Sequence, residues 1–345
     1  MEHSLVGLSN LGNTCFLNSA LQCLFNTHEL NAFLDKDTYK HRITDSPDAS
    51  VLSEYDQLRR LIASHKTGIM RPGKFVSSVH QVAKHKDKDI FTGFAQNDLP
   101  EFLLFIIDCF NTAIKRSVTI TVGGTPQNDK DKLAISCYTT MKRMYEKEYS
   151  EMLDIFFGIH TSMVNASSAE RKLLSTSPEP FFILSLPIPL NKPSPTIYDC
   201  FDLYTTEEQL NGENQYVLNE TTKEKVDATK RILFWSLPNV LIVDIKRFVV
   251  SGNRLVKYTG NINFSPREQL NLSKYVVGYN PASYKYELYG VCNHMGGLTG
   301  GHYTAYIKKP SGQWWHFNDS HVSEMKEEDV CSPSAYCLFY KKENV

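Results

Sequence analysis

The 345-residue chain contains no C-x-x-C pair among its eight cysteines, which stand at 15, 23, 109, 137, 200, 292, 331 and 337. That spacing offers no disulfide framework and points to reduced thiols inside the cell, in cytoplasm or nucleus. Long apolar runs are missing too. The strongest, FLLFII at 102–107, is far too short to span a bilayer. The first residues, MEHSLVG, lack the basic and then apolar stretches of a secretion signal. Sequons such as NAS at 165 and NET at 219 therefore carry no message. Charge of one sign is not in excess either. With 37 Lys and Arg against 38 Asp and Glu, no global field recruits nucleic acid or an anionic membrane. H-E-x-x-H is absent, which argues against a zinc-dependent hydrolase. Neither an internal repeat nor a low-complexity linker interrupts a composition of 41% hydrophobic and 22% charged residues, ordinary for a soluble globular protein.

What is present falls into two parts. The first third reads helical. LSEYDQLRRLIASH (52–65) sets Leu52, Tyr55, Leu58, Leu61 and Ile62 on one face, and NDLPEFLLFIIDCFNTAI (97–114) begins with Asp98 and carries Pro100 in its first turn. TVGGTPQNDKDK (121–132) reads as a surface connection, and KRMYEKEYSEMLDIFF returns to helical periodicity. From about Pro180 the chain becomes a series of short β-branched and aromatic runs punctuated by Gly and Pro, with KKPSGQ as a hairpin turn before Trp314. Helices first and strands later predict an α+β protein with a helical lobe against an antiparallel sheet.

Two segments carry chemistry. In GLSNLGNTCFLNSALQCL (7–24), Phe16, Leu17, Ala20, Leu21 and Leu24 recur at helical spacing behind a polar turn. Asn13 or Thr14 supplies the N-cap, and Gly12 permits the tight turn. Cys15 then sits in the first helical turn, where the dipole and free backbone N–H groups are expected to favour thiolate. The plainer alternative is a buried cysteine that fills space. In MGGLTGGHYTAYIKK (295–309), two Gly pairs precede His302, and Tyr303, Ala305 and Ile307 alternate as a half-buried strand would. The glycines signal either a mobile loop over 292–301 or a close backbone approach. One hairpin later WWHFNDS places Asn318 and Asp319 within reach of the imidazole. Thiol, imidazole and a carboxamide or carboxylate form a set for nucleophilic acyl transfer, in the chain order of papain-like enzymes.

These two segments resemble the signature boxes of the ubiquitin-specific proteases, a papain-like deubiquitinase family. AQNDLPEFL (95–103) is similar to that family's Gln-x-Asp helix start, and LIVDIKRF (241–248) to its palm strand. The resemblance runs from about Gly7 to Lys341 and implies a single catalytic domain with a helical thumb near 1–150, β fingers near 155–235 and a β palm with the His box near 236–345. By that resemblance Cys15 is the nucleophile, His302 the general base and Asn318 its orienting partner, with Asp319 reinforcing. Asn10 would donate to the oxyanion, a contribution of about 2.7–4 kcal/mol. Asp98, Glu101 and Gln96 would meet the basic tail of ubiquitin, while Tyr303 and Gly301 wall the channel for its Gly-Gly end. Asp98 and Glu101 also read simply as a helix cap with a first-turn acid.

The chain departs from the family where two C-x-x-C pairs usually bind zinc. MVNASSAERK (163–172) and NQYVLNETTK (214–223) hold no cysteine, and His160 is isolated, so fingers without zinc are expected, with no cofactor at all. The expected partner is ubiquitin or its conjugates, acted on by a monomer. Two other readings keep the fold: a catalytically silent ubiquitin-binding module, and a protease for another Gly-Gly-ended modifier.

Overall fold

The computed structural model describes residues 4–88, 91, 97–168, 171–219, 221–298 and 300–343. Among the early helices are Cys15–Phe25, Asp48–Ala63, Gly73–His85, Leu99–Ile114 and Asp129–Glu148; the first, second and fourth are those the sequence predicts, Gly73–His85 is not among them, and the fifth begins inside the stretch expected as a surface connection. Asp98 caps the fourth of these through the Glu101 backbone N–H at 3.4 Å, and Pro100 lies in its first turn, where no N–H is required. Tyr149 and Ser150 break the later helical run, and the Ser150 hydroxyl accepts from Met152 N–H to start a new short helix, Glu151–Phe156. One early segment is a strand. Leu5–Leu8 pairs in parallel with Thr67–Met70, each four residues long and too short for its periodicity to stand out.

The later part is a large mixed sheet. Its strand order is His321–Met325, Trp314–Asn318, Gly300–Lys308, Lys285–Gly297, Ala335–Lys342, Val240–Ile245 and Ile183–Leu186, with Leu270–Asn271 paired on the side. Alternation along Val240–Ile245 builds two cores from one strand. Val240 and Ile242 join the helical side, whereas Leu241 and Val243 face the layer that holds the Ile197–Tyr204 helix. A second, four-stranded antiparallel sheet runs Leu173–Phe181, Gly158–Ala166, Ala228–Ser236 and Glu208–Leu210.

The Cys15–Phe25 helix is buried on every side. Leu21 and Leu24 are wholly excluded from solvent, and truncating Leu21 to Ala is expected to cost about 2–5 kcal/mol. Its polar side does not face water. Gln22 donates to Val6 O at 3.0 Å, and Asn18 reaches Leu8 O and Ser9 O at 3.4 Å. The helix is thereby bolted to the strand that precedes its own N-terminus. All eight cysteines are unpaired, and no helix among the described residues is long and apolar enough to cross a membrane.

Candidate active site

The turn before Cys15 is organised by Asn10. Its carboxamide oxygen accepts from the backbone N–H of Gly12 at 3.0 Å and of Thr14 at 3.2 Å. Gly12 at φ 107° and Asn13 at φ 52° take the left-handed conformation this tight reversal requires. Thr14 occupies the N-cap position but does not cap with its side chain. Its hydroxyl instead receives Leu11 N–H at 2.9 Å, so the expected capping bond is replaced by one that tightens the turn. Cys15 is the first residue of the helix and is 3% exposed. Here the structure corrects the expectation of a helix-stabilised thiolate. Burial pushes the Cys15 thiol up, the Asp319 carboxylate adds to that, and the backbone N–H groups of Tyr303 and Phe16 oppose it only in part.

His302 and Asn318 arrive on neighbouring strands of the large sheet. His302 Nε2 lies 2.7 Å from Asn318 Oδ1, so the carboxamide accepts at that nitrogen and fixes the ring. Met295 pairs with His302 and Gly296 with Gly301 across an antiparallel ladder that continues to Gly297 and Gly300. The segment 292–301 is therefore strand up to Gly297 and strand again from Gly300. Its glycines serve close approach. A Cβ on Gly301 would fall 2.3 Å from His294 Nε2, and one on Gly296, at φ +128°, 2.4 Å from Gly301 Cα. The thiol meets this hairpin at the backbone N–H of Tyr303, the next residue after His302.

Asp319 ties the two segments together. It turns the chain at φ 47° after the strand ending in Asn318. One carboxylate oxygen accepts from Asn10 Nδ2 at 2.9 Å and the other from Asn18 Nδ2 at 2.7 Å, while its carbonyl accepts from Leu8 N–H at 2.8 Å. Asn18 was not apparent as a site residue in the sequence. Its signal was a carboxamide one helical turn beyond Cys15 on a helix otherwise stocked for a core.

Asp98 lies beside this cluster. Besides capping its helix, it accepts from the Tyr336 hydroxyl at 2.8 Å, and burial pushes its carboxyl up. Tyr303 is buried, with its hydroxyl against the Leu99 backbone N–H, and Glu101 is exposed on the first turn of the same helix. Gln96 lies outside the described residues. Among those described, no three His, Cys, Asp or Glu side chains gather as a metal site, and His160 instead pairs with the Tyr204 hydroxyl at 2.8 Å.

Comparison with known proteins gives this geometry its context. The family model described as ubiquitin carboxyl-terminal hydrolase matches residues 6–340. Ubiquitin carboxyl-terminal hydrolase 2 of Bos taurus is 34% identical over 349 residues, covering 98% of this chain and 55% of that protein. Ubiquitin carboxyl-terminal hydrolase 21 of Mus musculus is 31% identical over 358 residues, covering 97% of this chain and 61% of that protein. Among solved structures, the SAGA Ubp8/Sgf11/Sus1/Sgf73 DUB module bound to ubiquitin aldehyde superposes with a TM-score of 0.76 at 25% identity, covering 100% of this chain and 71% of that one. The fold is thus the α+β, papain-like arrangement of a thiol-hydrolase class. The chain belongs to the ubiquitin carboxyl-terminal hydrolase family, as a domain of the ubiquitin-specific protease type, and spans just over half the length of the first of these relatives.

Proposed function

We propose that this chain is a thiol-dependent deubiquitinase that hydrolyses the isopeptide or peptide bond after the C-terminal Gly-Gly of ubiquitin. The observation that carries the reading is the convergence of Cys15, at a helix start, with a hairpin on which His302 is oriented by Asn318 at 2.7 Å.

In this reading His302 removes the Cys15 proton and the thiolate attacks the glycine carbonyl carbon. Because burial holds the thiol protonated at rest, the proton leaves as the substrate carbonyl arrives rather than before. The carbonyl electron pair moves to oxygen, where Asn10 Nδ2 donates to the oxyanion. Asp319 holds that carboxamide in place meanwhile. The C–N bond then breaks, His302 gives its proton to the departing amine, and the tail remains on Cys15 as a thioester. Water, deprotonated by His302, attacks the thioester carbonyl carbon; the C–S bond breaks, His302 returns the proton to Cys15, and the C-terminal carboxylate leaves. Asn318 keeps the ring aimed through both halves. Asp98 and Glu101 supply negative charge for a basic tail.

Cleavage of a fluorogenic ubiquitin C-terminal amide tests this. Turnover by the wild type that is abolished in Cys15→Ala, with ubiquitin binding retained, supports the reading. A wild type that binds ubiquitin but does not turn over supports the silent-module alternative. Turnover only with another Gly-Gly-ended modifier supports the third.

A further inference from the structure

Two hairpins meet beside His302 through a single ammonium group. The first, Phe248–Ser251 with Arg254–Lys257, is anchored at its base by Arg247. That fully buried guanidinium donates to the carbonyls of Ala335 at 2.6 Å, Gly260 at 2.9 Å and Tyr258 at 3.2 Å. Tyr258 N–H donates back to Arg247 O at 2.6 Å. The root of this hairpin is thus fixed to the sheet, and Lys257, the last residue of its second strand, projects from a rigid position.

Lys257 Nζ lies 2.8 Å from His294 O, 3.0 Å from Gly296 O and 3.0 Å from His294 Nδ1. These groups sit on the second hairpin directly across from the reacting segment, since His294 pairs with Tyr303, Met295 with His302 and Gly296 with Gly301. His294 is held from its other faces as well. It stacks on Tyr303 with ring centroids 4.6 Å apart and tilts against Phe248 at 6.0 Å. Gly301 leaves no room for a side chain above its Nε2. Burial and the Lys257 charge push His294 down to about 4, so a neutral ring accepts from the ammonium. An ammonium on three acceptors, two of them carbonyls of one strand, fixes that strand more tightly than ladder bonds to its partner alone.

We propose that Lys257 is a positioning residue for the hydrolysis: it staples the two hairpins together and thereby sets where His302 and the Tyr303 N–H stand relative to Cys15. The proposal rests on the reading of Cys15 and His302 as nucleophile and base. Lys257 touches neither. It acts through the backbone of the strand opposite His302.

The test uses Lys257→Met, which keeps the aliphatic stem and removes the donors, with Lys257→Arg as the conservative replacement. The first readout needs no ubiquitin: the pH profile of Cys15 alkylation by iodoacetamide, followed by peptide mass. The staple predicts that the profile of Lys257→Met moves to higher pH, because the Tyr303 N–H no longer meets the thiol and His302 shifts with it. It also predicts that kcat for the ubiquitin amide falls roughly ten- to a hundredfold while KM changes little, and that Lys257→Arg recovers most of kcat. An unchanged alkylation profile with unchanged kcat overturns the proposal, as does a loss confined to KM, which would make Lys257 a wall of the substrate channel. If Lys257→Met does not fold, Lys257→Gln, with one amide donor of similar reach, carries the same comparison. Failure of the deubiquitinase reading itself looks different: the wild type alkylates normally at Cys15 yet cleaves no ubiquitin amide.

Discussion

Asn10 and Asp319 stand 309 residues apart in the chain and 2.9 Å apart in space, with the Asn10 carboxamide donating to the Asp319 carboxylate. The same carboxylate receives Asn18 at 2.7 Å. One acidic side chain therefore aligns the proposed oxyanion donor and locks the helix of the proposed nucleophile to the turn that follows Asn318. Asn10→Ala should lower kcat by about 10²–10³-fold. Asp319→Ala should lower it roughly ten- to a hundredfold by releasing Asn10. Because the two act as a unit, the double variant should lose far less than the product of the single losses. Strict multiplicativity in steady-state kinetics would mean that Asp319 works by another route.

Asp98 has a structural duty as well as its proposed one, since it caps a helix and accepts from Tyr336. Asp98→Asn removes the charge and keeps Oδ1 as acceptor for the Glu101 N–H, while the carboxamide nitrogen in place of Oδ2 donates to the Tyr336 hydroxyl oxygen, reversing that bond. With the ubiquitin amide as substrate, KM should rise about tenfold, the scale of one hydrogen bond to a charged group, with kcat and thermal midpoint nearly unchanged. A large fall in the midpoint with KM unchanged would leave Asp98 as a cap and nothing more.

Asp244 makes the protein sensitive to pH in an unusual direction. Burial, with repulsion from Asp98, pushes its carboxyl up to about 6, and its Oδ1 has no hydrogen-bond partner. The ordinary unfolded value is about 3.9. Between about pH 4 and 6 the native state holds more protons at this site than the unfolded chain, so this group lowers stability as pH rises through that window. The penalty is absent below about pH 4 and complete above about pH 7. Asp244→Asn should therefore gain about 1–3 kcal/mol at pH 8 and nothing near pH 4, read from urea unfolding. A variant less stable at pH 8 than the wild type would show that the charge is compensated.

The four-stranded sheet is held by its ladders, with Gly158–Ala166 paired along both edges. Treatment with phenanthroline should leave the thermal midpoint where it was. A fall of several degrees, or stoichiometric zinc in the purified protein, would contradict a four-stranded sheet that stands on strand pairing alone.

Much of this was legible in the sequence, and particular residues show why. Asp98 followed by Pro100 and an apolar run marks a helix start by local chemistry alone, and that helix begins at Leu99. KKPSGQ marked the turn that brings Trp314 opposite Lys308. The glycines before His302 were ambiguous because mobility and close packing favour the same residue. The close packing shows only in the position of the His294 ring under Gly301. The Cys15 thiol was misjudged for a related reason: local sequence reports the helix terminus, whereas burial and the Asp319 charge come from segments some 300 residues away. Asn18 and Lys257 stayed hidden because their partners, Asp319 and the carbonyls of His294 and Gly296, are long-range and in part backbone.

Cys15 is proposed as the nucleophile toward the C-terminus of ubiquitin. Intact-mass labelling with a ubiquitin probe bearing a thiol-reactive C-terminal group tests it directly, with Cys15→Ala alongside. A single adduct is expected on the wild type and none on the variant. An adduct that persists in Cys15→Ala, or a folded wild type that binds ubiquitin and forms none, would contradict it.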